Sequence, residues 1–192
     1  MKVTLVTILL AAVVAVGQTM AAKGLIARDV SVGICPTFSN KEDLDPVPYL
    51  GPWYEIERFE LAPEKDMDCV KAVYSDLGDG LVEVHNMARS NGFFTEIYGT
   101  ATVIEPGVLL VEFPGSVPSE YHVLDTDYTT FSAVYNCEQV EEMRFQYAWI
   151  LSRTSTMDQE TYDYARQVFV DNGIDVTIFQ PTYQGDDCPY VE

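Results

Sequence analysis

The stretch YLGPWYEIERF, Tyr49 to Phe59, sets a glycine two residues ahead of a tryptophan at the head of a strand-like run. Tryptophan is costly to expose and large to bury, so one at the start of a strand needs a partner built to receive it. Downstream, the chain reads as short apolar runs divided by turn residues. The runs are WYEIERFE, CVKAVYSD, GLVEVHNMA, FFTEIYGTATVI, VLLVEF, EYHVLD, FSAVYNC and FQYAWILSR. The breaks carry LGDG, SNG, EPG, FPGSVPS and DTDYTT, rich in the residues that tolerate turn geometry. Eight such runs at this spacing imply an antiparallel barrel or a sandwich, and closure would remove exposed sheet edges.

After the eighth run the period changes. TMDQETYDYARQVFVDN, Thr156 to Asn172, places Tyr162, Ala165, Val168 and Phe169 at helical spacing, with Thr156 and Gln159 as a capping box and Gly173 as a stop. In the run before it, Phe145, Tyr147, Trp149, Leu151 and Arg153 share one face, leaving Ala148 and Ile150 on the other for a helix docked from outside. A last short strand, IDVTIF, follows at Ile174–Phe179.

Residues 1–22 have a lysine at position 2, an apolar run from Val3 through Val16 and small residues near the end, the order of a cleaved secretory signal. The remainder, residues 23–192, suits a single domain with a sizeable core. The net charge of −19 is spread along the chain, which disfavours nucleic acid and anionic lipid as partners. Cys35, Cys69, Cys137 and Cys188 are an even number without CxxC spacing, so two disulfides are expected and no zinc site; spacing alone leaves three pairings open. There is no Asn-x-Ser/Thr sequon.

Gly51-Pro52-Trp53, Thr126-Asp127-Tyr128 and Arg153, in this order, resemble the three signature elements of the lipocalin family. YLGPWYEIE, LDTDYTTFSAVYNC, YAWILSR, NGIDV and the closing CPY are similar to the branch that holds lipid carriers and bilin- and carotenoid-binding members. The resemblance implies an all-β fold: an eight-stranded antiparallel up-and-down barrel with one C-terminal helix outside and a short extra strand. It also implies the pairing Cys35–Cys137 and Cys69–Cys188, and a barrel floor where Trp53 is the plug and Arg153 stacks across it. That stack is the partner the opening stretch requires.

With the floor so placed, alternation along the strands turns Ala72 and Tyr74, and Val82, Val84, Asn86 and Ala88, toward the interior. The same parity, with the family's pockets as guide, adds Ile97, Val111, Phe113, Tyr121, Trp149 and Leu151. Tyr74, Asn86 and Tyr121 are the expected orienting hydrogen-bond partners in an apolar, aromatic cup. Parity also turns Glu55 and Glu57 inward with Trp53, unless a bulge intervenes or an arginine meets Glu55 near the floor. The rim is expected from LAPEKDMD, SNGFF, FPGSVPSE and EQVEEMR, with Phe93 and Phe94 as a lid or protein contact. Glu138, Glu141 and Glu142 beside them oppose stable membrane insertion.

The expected function is a secreted, extracellular carrier of a small hydrophobic molecule, lipid, steroid-like or pigment. The alternative is a colour protein that holds a chromophore, carotenoid or bilin, and pairs as a homo- or hetero-oligomer through its rim. An enzyme is not expected. Some lipocalins isomerise bound lipids with a pocket cysteine, but the implied pairing leaves no free thiol. His85 and His122, the only histidines, fall opposite the inward residues, and neither a metal-ligand spacing nor a phosphate loop is present. No catalytic cofactor is expected.

Overall fold

The computed structural model describes residues 30–60 and 64–190; the signal segment read at residues 1–22 lies outside them. The eight apolar runs form eight strands: β2 (Gly51–Phe59), β3 (Met67–Gly78), β4 (Leu81–Ser90), β5 (Phe93–Glu105), β6 (Val108–Glu112), β7 (Ser119–Thr126), β8 (Phe131–Val140) and β9 (Met143–Ser152). Each pairs antiparallel with the next, and β9 returns to pair with β2 from Tyr54↔Ser152 to Arg58↔Trp149, which closes the barrel. Asp79–Gly80 and Asn91–Gly92 make two of the tight turns, with φ of 52° and 77°, and 52° and 82°. Two successive left-handed residues match the twist of the strands they join.

Two short strands flank the barrel: β1 (Val30–Val32) pairs with β9, and β10 (Phe179–Pro181) with β2. The first carries no alternation pattern long enough to be read. The second starts later than the Ile174–Phe179 strand expected from sequence. Asp175 accepts a hydrogen bond from Thr177 N at 2.9 Å and winds Val176–Ile178 into a single 3₁₀ turn, so extended backbone begins only at Phe179.

The helix α2 spans Gln159–Asp171, and its cap is Asp158 rather than Thr156. The Asp158 carboxylate takes both Thr161 N at 3.0 Å and Thr161 Oγ1 at 2.7 Å. A carboxylate also suits the positive end of the helix better than a hydroxyl does. Thr156 instead offers its carbonyl to Thr154 Oγ1 at 2.6 Å. The helix ends at Gly173, φ 70°, as expected. Ala165 and Phe169 are fully buried against Ala133, Tyr135, Ala148 and Ile150 on the outer wall of β8 and β9. Burying Phe169 alone contributes about 1.5–3 kcal/mol.

The register of β2 shifts between Glu55 and Glu57. Ile56 is the extra residue, so Glu55 faces inward opposite Leu151 while Glu57 turns outward opposite Ile150. Strict parity placed both carboxylates inside; that is corrected for Glu57. On the outer wall it accepts Tyr162 Oη–H at 2.7 Å and Arg166 Nη1–H at 2.5 Å, both from α2. Disulfides join Cys35 to Cys137 and Cys69 to Cys188, as the family resemblance implied.

Candidate ligand site inside the barrel

One end of the barrel is sealed by the signature residues. Trp53 is fully buried, and the Arg153 guanidinium lies 3.7 Å from its ring centroid. Arg153 donates to three carbonyls, Tyr128 O at 2.8 Å, Pro52 O at 2.9 Å and Pro48 O at 2.7 Å. Gly51 sits at φ 92°, in close approach to that guanidinium. Thr126 and Asp127 organise the turn that delivers the Tyr128 carbonyl. Thr126 Oγ1 donates to Phe131 O at 2.6 Å, and Asp127 accepts backbone N–H groups from Thr129, Thr130 and Phe131. Partial burial would raise the Asp127 carboxyl, but these bonds outweigh it and hold it below the usual range.

The segment DPVPYLGP contains one helical turn, α1 (Pro46–Tyr49), capped by Asp45 accepting from Val47 N. It carries Tyr49 beneath the barrel, where Trp53 Nε1–H donates to Tyr49 O at 2.9 Å. A proline inside the first turn was the available signal for this helix.

Above the floor lies a cavity of about 330 Å³, within the range of small-molecule sites. Tyr74, Val84, Asn86, Phe113, Tyr121, Trp149 and Leu151 line it, together with Ala72, Val82 and Val111. Ile97 pairs with Asn86, and so shares the inner face, but it is 44% exposed and lies off the cavity. Ala88 is buried without lining it. Phe113 approaches because Gly99 has no side chain: a Cβ there would meet the ring at 2.6 Å and Glu112 O at 2.5 Å. Among the lining residues that sequence reasoning missed are Tyr49, Ala101, Leu109 and Glu64; Glu55 was read inward without a role.

Polar groups gather at two places in the wall. Near the floor, Tyr121 Oη is hydrogen-bonded to Tyr49 Oη at 3.0 Å and to Tyr74 Oη at 3.1 Å, and Tyr49 Oη continues to Ser132 Oγ at 2.9 Å. Burial is the main cause that pushes Tyr74 up to about 12 and Tyr121 well above the ordinary phenol, so all three remain hydroxyls. Farther up β2, Glu55 is bound by Arg58 Nη1 and Thr182 Oγ1. Arg58 also donates to Glu64 O at 2.7 Å and Met67 O at 2.9 Å, tying down the Glu64–Met67 segment that leads into β3. Both alternatives offered for this strand are present, the bulge at Ile56 and an arginine on Glu55, which is Arg58, three residues farther along β2. Trp149 Nε1–H donates to Glu64 Oε2 at 3.3 Å. Burial first, then the charge of Glu55, push the Glu64 carboxyl up to about 8 against the opposing pull of Arg58 and Trp149.

Asn86 Oδ1 is the one buried side-chain polar atom without a hydrogen-bond partner among the described residues. Neither histidine lines the cavity: His85 stacks on Tyr98 and pairs with Glu96, and His122 lies between Asn40 and Glu120. All four cysteines are bonded. Among the described residues no cluster of three or more metal-ligating side chains is found, and no helix is long and apolar enough to cross a membrane. At the far end of the barrel, Phe93, Val117 and Val140 leave an exposed apolar rim.

Floor, wall and cavity define a closed antiparallel barrel built around an internal apolar cup. The chain belongs to the lipocalin family: the model of the lipocalin-like domain matches residues 44–184. Apolipoprotein D of Macaca fascicularis is 36% identical over 168 residues, covering 84% of this chain and 88% of that protein. Apolipoprotein D of Mus musculus is 34% identical over 191 residues, covering 96% and 98%. Among solved structures, lobster apocrustacyanin A1 superposes with a TM-score of 0.79 at 22% identity, covering 86% of this chain and 97% of that one. Insecticyanin from the tobacco hornworm Manduca sexta gives 0.74 at 23%, covering 83% and 90%. At that identity the structural likeness bears on fold alone.

Proposed function

We propose that this chain is a secreted carrier that holds a small hydrophobic molecule, a lipid or steroid-like compound, in its barrel without altering it. The observation that carries the reading is the cavity itself, where Val82, Val84, Leu109, Val111, Phe113 and Leu151 supply an apolar lining around a few polar groups. Two disulfides support an oxidising, extracellular compartment. Histidines placed off the cavity and fully paired cysteines support binding without chemistry. The net charge of −19 argues against nucleic acid as a partner.

The test is extraction of the protein purified from its own source, with mass spectrometry of the extract and an absorption spectrum of the folded sample. A stoichiometric apolar compound in a colourless sample is the expected result. A visible band that vanishes on denaturation would assign the cargo as a carotenoid or bilin chromophore instead. An empty cavity, refractory to every apolar compound offered, would overturn the carrier reading. Self-association through the rim is the second part of the proposal, supported by the exposure of Phe93 (77%) and Val117 (84%). Sedimentation as a single monomeric species at all concentrations would remove it.

A further inference from the structure

The charged side chains that line the cavity are of one sign. Glu55 and Glu64 contribute carboxyl groups to its wall, and among the described residues no lysine, arginine or histidine lines it. Asn86 adds a buried carbonyl oxygen with no donor to satisfy it. The nearest cation, Arg58, is 7% exposed and already engaged by Glu55, Thr182, Glu64 O and Met67 O. Its Nε lies 3.8 Å from Glu64 Oε2, so the two carboxyl groups share one positive charge. A carboxylate brought into this cup would meet acidic side chains in an apolar surround, with no free cation among the described residues to receive it. A group that brings donors would satisfy the acceptor that the protein leaves open at Asn86.

We propose that the cavity selects ligands whose polar end donates hydrogen bonds, a protonated amine above a hydroxyl, and rejects ligands that end in a carboxylate, with Glu64 as the group that sets the preference. The inference rests on the reading of the cavity as a ligand site. The charged groups facing Glu64 are Glu55 and Arg58 of β2, and Trp149 of β9 faces it as a neutral donor. An ammonium group set beside them drives ionisation of Glu64, which near neutral pH holds its proton while the cup is empty, and so balances the second carboxylate. Amine binding near neutral pH therefore releases a proton, whereas alcohol binding does not. A purely structural Glu64 would give no such release.

The experiment is displacement of the neutral probe N-phenyl-1-naphthylamine by dodecylamine, dodecanol and dodecanoate, three ligands with one chain length, in wild type and in Glu64→Gln. Dodecylamine is expected to displace the probe at a concentration at least about tenfold below dodecanoate, with dodecanol between them, and the ratio should narrow in Glu64→Gln. Calorimetry in buffers of different ionisation enthalpy reads the released proton in wild type and its loss in the variant. Equal or tighter binding of dodecanoate overturns the proposal. A preference that survives intact in Glu64→Gln overturns the role of Glu64 and assigns the effect to the overall negative charge. If none of the three displaces a bound probe, or the probe itself does not bind, the carrier reading fails along with it.

Discussion

Three carbonyl oxygens, from Tyr128, Pro52 and Pro48, converge on the Arg153 guanidinium while Trp53 lies beneath it. Lysine would keep the charge but lose the planar fork and most of the stack. Arg153→Lys is expected to cost about 2–4 kcal/mol, from two or three hydrogen bonds and part of a cation–π contact, read as a fall in the urea midpoint at unchanged slope. Glu64 gives a second prediction at this scale. Its folded value, about 8 against an ordinary 4.5, means that the folded state holds the extra proton. Its contribution to closing the loop is thus complete below about 4.5 and is lost as pH rises through about 8. Trp149 touches this carboxyl, and the other tryptophan, Trp53, is buried at the floor. Tryptophan emission should therefore titrate with a midpoint near 8, and Glu64→Gln should flatten the curve. The Trp53–Arg153 pair was legible through the family resemblance that Gly51-Pro52-Trp53, Thr126-Asp127-Tyr128 and Arg153 carry. Glu64 was not, because nothing in LAPEKDMD shows that the loop folds back onto Trp149.

At the scale of elements, the docking of α2 on the barrel turns on Glu57. This carboxylate is 7% exposed and depends on Tyr162 and Arg166 for its partners. Arg166→Met leaves it buried without a cation and is expected to destabilise the protein by about 3 kcal/mol, with hydrogen exchange rising first in α2. Pairing the change with Glu57→Leu should recover much of that loss. Apolar runs between turn residues located all eight barrel strands, with period-two alternation for their faces, and the 3.6-residue period located the helix and its buried stripe. Both signals report which face an element buries, and burial dominates the energetics. What the pattern missed were events of one or two residues. Ile56 as a bulge, Asp158 as a cap in place of Thr156 and the 3₁₀ turn at Val176–Ile178 each turn on a local hydrogen bond or a shift that leaves the apolar pattern almost unchanged. The assignment of cavity residues followed the strands: parity holds where the register is unbroken, as at Val82, Val84 and Asn86, and fails for Glu57 beyond the bulge. Ile97 keeps its parity yet misses the cavity, because alternation gives the face and not the height along the barrel.

For the molecule as a whole, two long-range disulfides pin the segments that cross outside the barrel. Cys35–Cys137 spans 102 residues and Cys69–Cys188 spans 119. In the chain-entropy picture each contributes up to nearly 5 kcal/mol. The double variant Cys35→Ala/Cys137→Ala is expected to lower stability by about 2–5 kcal/mol while the barrel still forms, seen as a lower thermal midpoint with a native circular dichroism spectrum. The barrel and its helix-packed outer core are closed without that link, and the inner cup is lined by residues of the strands themselves. The central claim concerns that cup, and titration of N-phenyl-1-naphthylamine against Trp149 emission tests it most directly, in wild type and in Ala72→Phe, which fills the cavity from its wall. One-to-one saturable quenching in wild type, weakened at least about tenfold in an Ala72→Phe protein that unfolds normally, is the expected result. Absence of saturable binding, or equal affinity in the filled variant, would contradict it.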